Sequence, residues 1–61
     1  MVIPSDNYIL LSLINTKLRD EYSSFEELCE EEDVDLNEIT SRLAQSGYIY
    51  NPHTNSFIMH P

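Results

Sequence analysis

Between Asn7 and Asp20 the apolar positions recur at helical spacing. At about 100° per residue, Leu10, Leu11, Ile14 and Leu18 share one broad face, and Tyr22 joins it if the helix continues, while Ser12, Thr16, Arg19 and Asp20 fall elsewhere. The pattern predicts a first helix over residues 7–20, with Ser5 or Asp6 as its cap and Pro4 holding the residue before it extended. Ile9 and Leu13 lie just off the main stripe and form a second, smaller apolar edge. That edge either covers the ends of a small core or serves as a helix face for dimerisation.

Ser23-Ser24-Phe25-Glu26-Glu27 contains two overlapping S-x-x-E boxes, so a second helix is expected to begin at Phe25 and run to Glu32. It sets Phe25, Leu28 and Cys29 against Glu26, Glu27, Glu30 and Glu31. The acids at Glu30, Glu31, Glu32 and Asp33 crowd its C-terminal end, where the helix dipole disfavours negative charge, and Val34 is expected to fill a core position in the turn. Asp35-Leu36-Asn37-Glu38 repeats the capping device for a third helix over 36–46, which Gly47 closes by taking a positive φ. Leu36, Ile39, Leu43 and Ala44 are expected inward with Thr40 beside them, and Asn37, Glu38, Ser41, Arg42 and Gln45 outward. The expected core is Ile14, Leu18, Leu28, Ile39 and Leu43.

After Gly47 the period falls to two. Residues 48–50 and 56–59 are rich in aromatic and branched side chains, and Asn51-Pro52-His53-Thr54-Asn55 between them is turn chemistry, so a β-hairpin is expected. Alternation puts Tyr48 and Tyr50 on one face and Ile49 on the other, with Phe57 and Met59 opposed to Ser56 and Ile58. The Tyr and Phe set is expected to cover the helices. The fold class is therefore mainly α: a three-helix, helix-turn-helix-like domain with a C-terminal β-hairpin, winged-helix-like, occupying residues 1–61 as a single domain.

Length limits the core. A chain of 61 residues buries only about 60% of the surface it exposes unfolded, so self-association is a natural way to add buried area. The single cysteine, Cys29, rules out an internal disulfide and favours a reducing compartment, with the cytoplasm as default. No stretch has the length of a membrane span, and no basic region precedes the apolar run as in a signal peptide. Eleven acidic residues face three basic ones, a formal charge of −8, and ten of the acids lie between Asp20 and Glu38. Such a field repels phosphate backbones and attracts basic partners or cations.

The run Asn15-Thr16-Lys17-Leu18-Arg19-Asp20-Glu21-Tyr22-Ser23-Ser24 resembles the NTKLRD-x-YSS signature of a family of short bacterial proteins, the domain of unknown function numbered 4250. Phe25-Glu26-Glu27-Leu28-Cys29 is similar to that family's [LF]-x-x-L-C, Gly47-Tyr48-Ile49-Tyr50 to its GY-x-Y, and Asn55-Ser56-Phe57 to its N-x-F. The likeness covers nearly the whole chain. Asp33-Val34-Asp35 is also of the family's type, whereas Asn7 stands where its pattern leads one to expect proline. The family carries no known catalytic or binding residues, so the resemblance implies no site.

Candidate chemistry is sparse. As a recognition helix the third helix offers Asn37, Ser41, Arg42 and Gln45, types that read base edges, but Lys17, Arg19 and Arg42 are the only cations for phosphate. Nucleic-acid binding is thus the alternative reading, unfavoured for the isolated chain. Asp33-x-Asp35-x-Asn37 imitates the start of a calcium loop, yet Glu38 stands where glycine is needed and Ala44 where glutamate is needed, so no metal site is expected. Cys29, His53 and His60 lack structural-zinc spacing, His53 reads as a turn residue, and Cys29 reads as a core filler with a raised pKa. No catalytic residues and no cofactor are expected, and the chain reads as a non-enzymatic binding or scaffold module.

Two surfaces compete for that role. One is an acidic ridge of Glu26, Glu27, Glu30, Glu31, Glu32 and Asp33, suited to a basic protein. The other is an apolar self-contact drawn from Ile9, Leu13, Tyr48, Tyr50 and Phe57, giving a homodimer.

Overall fold

In the computed structural model, which describes residues 1–60, the elements follow in the order α1 (Asn7–Asp20), α2 (Phe25–Glu32), α3 (Leu36–Gln45), β1 (Tyr48–Asn51) and β2 (Ser56–Met59). Every helix opens on a capping side chain. Asp6 Oδ1 accepts from the Tyr8 and Ile9 amides at 2.8 and 3.0 Å, Ser24 Oγ accepts from the Glu27 amide at 3.1 Å, and Asp35 Oδ1 accepts from the Asn37 and Glu38 amides at 2.9 and 3.3 Å. Of the two overlapping boxes the one starting at Ser24 sets the helix, while Glu27 reaches back one residue further, to the Ser23 amide at 2.8 Å.

The ends are equally local. Asp33 takes the left-handed conformation at φ 56°, and the Val34 amide reaches back to the Cys29 carbonyl, which stops α2 in one residue. Gly47 does the same for α3 at φ 91°, after Ser46, so α3 ends at Gln45, one residue short of the expected limit. β1 and β2 pair antiparallel in the register Tyr48↔Met59, Ile49↔Ile58, Tyr50↔Phe57 and Asn51↔Ser56. Pairing through Asn51 carries β1 one residue past its expected end. Asn55, the last turn residue, absorbs a positive φ of 51°, a conformation asparagine tolerates better than most.

The helices and hairpin form a winged-helix-like arrangement in which β2 lies along α1 and β1 along α3. Between them sit Leu10, Ile14 and Leu18 of α1, Phe25, Leu28 and Cys29 of α2, Ile39 and Leu43 of α3, and Phe57 of β2, all buried. All five expected core residues are in this set. Val34 packs against it from the turn, and Met1 and Ile3 from the N-terminal lead.

One inward assignment fails, and one strand face is covered only in part. Ala44 is exposed, because Leu36, Ile39 and Leu43 already define the buried stripe and Ala44 lies about 100° round the helix from Leu43; Thr40 is exposed on the same side. Met59 shares a strand face with Phe57 but is 68% exposed against 3%. Alternation sets the direction of a side chain, not how far the helical layer extends beneath it.

Candidate functional site

Three asparagines fasten the elements to one another. Asn15, in the middle of α1, donates to the Phe57 carbonyl at 3.1 Å and accepts from the Phe57 amide at 2.7 Å, so one side chain grips both backbone groups of a β2 residue. Asn55 donates to the carbonyls of Leu18 and Tyr22 at 3.0 and 2.9 Å, closing the end of α1, and accepts from the Tyr50 hydroxyl at 2.7 Å. Asn7 donates to the Arg42 carbonyl and Ser46 Oγ and accepts from Arg42 Nε at 2.9 Å. None of these links was visible in sequence. The available signal was the placing of Asn15 beside core positions in a helix, where asparagine is a poor helix former unless its amide has a partner.

The acidic ridge is interrupted. Glu26, Glu27, Glu30, Glu31 and Asp33 are exposed, but the Glu32 side chain keeps only 16% of its accessibility. Its Oε2 accepts from the Tyr22 hydroxyl at 2.5 Å and from Lys17 Nζ at 3.3 Å, and its Oε1 lies 3.7 Å from the Met1 amine. The Tyr22 hydrogen bond chiefly, with Lys17 and the amine, holds this carboxyl below the ordinary carboxylate range. Reciprocally the carboxylate pushes the Tyr22 phenol up to about 12 and raises Lys17. Glu32 therefore joins the end of α2 to α1 and is not a ridge residue.

Asn37, Ser41 and Gln45 lie exposed on α3 as expected of the base-reading set, with the exposed acid Glu38 among them. Arg42 does not join them. Its guanidinium turns toward the N-terminal lead, donating from Nη2 to the Pro4 and Ser5 carbonyls at 2.7 and 3.0 Å and from Nε to Asn7. Lys17 lies between Glu21 and Glu32, and Arg19 pairs with the adjacent Asp20 at 2.8 Å. All three Lys and Arg side chains thus have partners within the chain.

The self-contact set also divides. Ile9 is 59% exposed and Leu13 half-buried, and both lie along an open groove on α1 with Tyr8, Ser12 and Thr16. Phe57 is buried, stacked edge-on against Phe25 at 4.8 Å between centroids. Phe57 is thus closed to a partner, whereas Tyr50, half-buried on Phe25 and Phe57 with its hydroxyl held by Asn55, shows one side on the surface away from the α1 groove. Tyr48 is half-buried and meets the exposed Tyr8 ring edge-on at 6.4 Å.

Asp35, the second oxygen of the calcium-like run, is engaged by two α3 amides, and among the described residues no three His, Cys, Asp or Glu side chains converge to hold a metal. Cys29 is buried, and burial first, then the charge of Asp35, raises its thiol pKa away from the reactive thiolate. His53 is an exposed turn residue whose amide donates to Asn51 Oδ1. No helix among the described residues is long and apolar enough to cross a membrane.

A family model matches residues 4–57: the domain of unknown function DUF4250. The chain belongs to this family. Comparison with curated proteins and with solved structures gives no match. The stretches by which the sequence resembles DUF4250 contain Asn15, Lys17, Leu18, Tyr22, Ser24 and Asn55, which here fasten, cap or fill the core. Thr16, Arg19 and Asp20 of the same stretches are exposed, so in this chain the signature covers both fastening residues and part of the α1 surface.

Proposed function

We propose that this DUF4250 domain is a small non-enzymatic protein-binding module that pairs with a second copy of itself through the outer edge of α1. The carrying observation is the uncharged strip Tyr8, Ile9, Ser12, Leu13 and Thr16, on which Tyr8 and Ile9 are 63% and 59% exposed in a chain of formal charge −8. Large apolar side chains left open on so small a core are the usual mark of a contact surface. The exposed acids of α2 lie on another helix, so two copies can meet along α1 with those acids kept apart. A nucleic-acid role is disfavoured by the engagement of Lys17, Arg19 and Arg42, which supply the only Lys or Arg charge for phosphate. The lone buried cysteine suits a reducing compartment, and we assign the protein to the cytoplasm on that ground.

Substitution tests the surface directly. Ile9→Glu should leave the fold intact and give a molar mass by light scattering that stays monomeric at every concentration, while the unchanged chain rises toward the dimer. Equal masses for the two proteins throughout would contradict the proposal.

A further inference from the structure

Where α2, α3 and the hairpin turn meet, a cleft of about 340 Å³ opens over Phe25, Leu36, Tyr50 and Pro52. It is mostly apolar, and it lies at the lower end of ligand-pocket sizes, enough for one large side chain. Past Leu36 and Glu26, which belong to both hollows, it continues into a recess floored by Cys29 and Val34. Glu26, Glu30 and Asp33 stand along this side at helical spacings of four and three residues, all exposed. None has an ion pair or side-chain hydrogen bond, and every Lys and Arg of the chain is engaged elsewhere.

We infer that this continuous groove takes an extended basic segment of another protein, seated by one apolar anchor side chain. The anchor enters the Phe25, Leu36, Tyr50 and Pro52 cleft, and the following chain runs along α2. The four residues of helix from Glu26 to Glu30 advance about 6 Å, and two residues of extended chain advance about 6.6 Å, so Lys or Arg at alternate positions fall opposite these two acids, with Asp33 just past the helix end beyond them. The acids are strung along the recess and do not converge on a point, an arrangement matched to a row of cations. A second copy of this chain does not suit this rim, because its Lys17, Arg19 and Arg42 are already engaged and it has no cationic run to set against the acids. The surface is separate from the α1 edge, so each contact can fail without the other.

The test uses the whole chain and a fluorescent peptide carrying one leucine followed by lysines at alternate positions, with a serine-for-leucine peptide as control. In about 0.05 M salt the leucine peptide should shift the backbone amide resonances of Glu26, Leu36 and Tyr50, and bind about tenfold or more tighter than the control. The double variant Glu26→Gln with Glu30→Gln should weaken it about tenfold, whereas Glu31→Gln with Glu38→Gln, equal in charge removed, should change it less than about twofold. Ile9→Glu should leave peptide binding intact. Equal binding of both peptides, equal loss in both double variants, or no binding would each overturn the inference.

Discussion

Asparagine and aspartate differ by a donor at nearly equal volume, and Asn55 uses that donor twice. Asn55→Asp leaves the Leu18 and Tyr22 carbonyls without their partner and should cost roughly 1–3 kcal/mol in urea unfolding. Asn15→Asp, losing one donor to Phe57, should cost an amount in the same range, and wild-type stability in either variant would show the fasteners to be incidental. Glu32 ties stability to pH at both ends. Its folded pKa is depressed, so its contribution is present above the ordinary 4.5 and is lost as pH falls through the lower folded value. Tyr22 is raised, so its contribution is present below 10.0 and is lost as pH rises from there toward about 12. Glu32→Gln should lower stability at neutral pH and flatten both limbs; limbs unchanged in that variant would place the titration elsewhere. Such links join residues distant in sequence, which is why Glu32 reads as one more ridge acid and Arg42 as an outward cation until the paths of α1 and the N-terminal lead are known.

The helices were legible because their limits are local chemistry. Ser24 and Asp35 cap at the places where their patterns set them, and Gly47 closes α3. The end of α2 at Glu32 was also legible, but not the means, because a non-glycine residue such as Asp33 at φ 56° carries no sequence mark beyond its polarity. Gly47→Ala meets no neighbouring atom within 4 Å, so its effect is purely conformational, about 1–2 kcal/mol for forcing an alanine to φ 91°. Leu43→Ala differs in kind. Leu43 is fully buried between α3 and the rest of the core, and its truncation should cost about 2–5 kcal/mol in denaturant unfolding, with a loss below about 1 kcal/mol contradicting the packing. The hairpin was legible as turn chemistry between β-formers, but its sidedness was only half so. Phe57 goes under the sheet and Met59 on the same face stays open, because burial depends on the extent of the helices below.

At the scale of the molecule, charge is sorted by surface. Most exposed acids run along α2 and the start of α3, with Asp6, Asp20 and Glu21 at the ends of α1, the cations are engaged within the chain, and the α1 edge of Tyr8, Ile9 and Leu13 between those ends is uncharged. The accessible surface is 3983 Å², so an interface of standard size, about 800 Å² per partner, would cover about a fifth of it. The proposed contact, drawn from the five residues Tyr8, Ile9, Ser12, Leu13 and Thr16, is expected to be a weak one, with a Kd of order tens to hundreds of micromolar. Sequence showed the second apolar edge but not which of its residues stay open, since that depends on where the hairpin lies; Tyr48 comes to meet Tyr8 and leaves Ile9 uncovered. Salt separates this contact from any other. Two copies each carrying −8 repel at long range, and screening removes that repulsion while leaving an apolar contact in place. Sedimentation equilibrium from a few micromolar to several hundred micromolar, at about 0.05 M and about 0.5 M salt, is the most direct measurement. A monomer–dimer equilibrium that tightens at the higher salt is expected; a monomer mass at every concentration in both salts, or an association that dissolves as salt rises, would contradict the α1 contact.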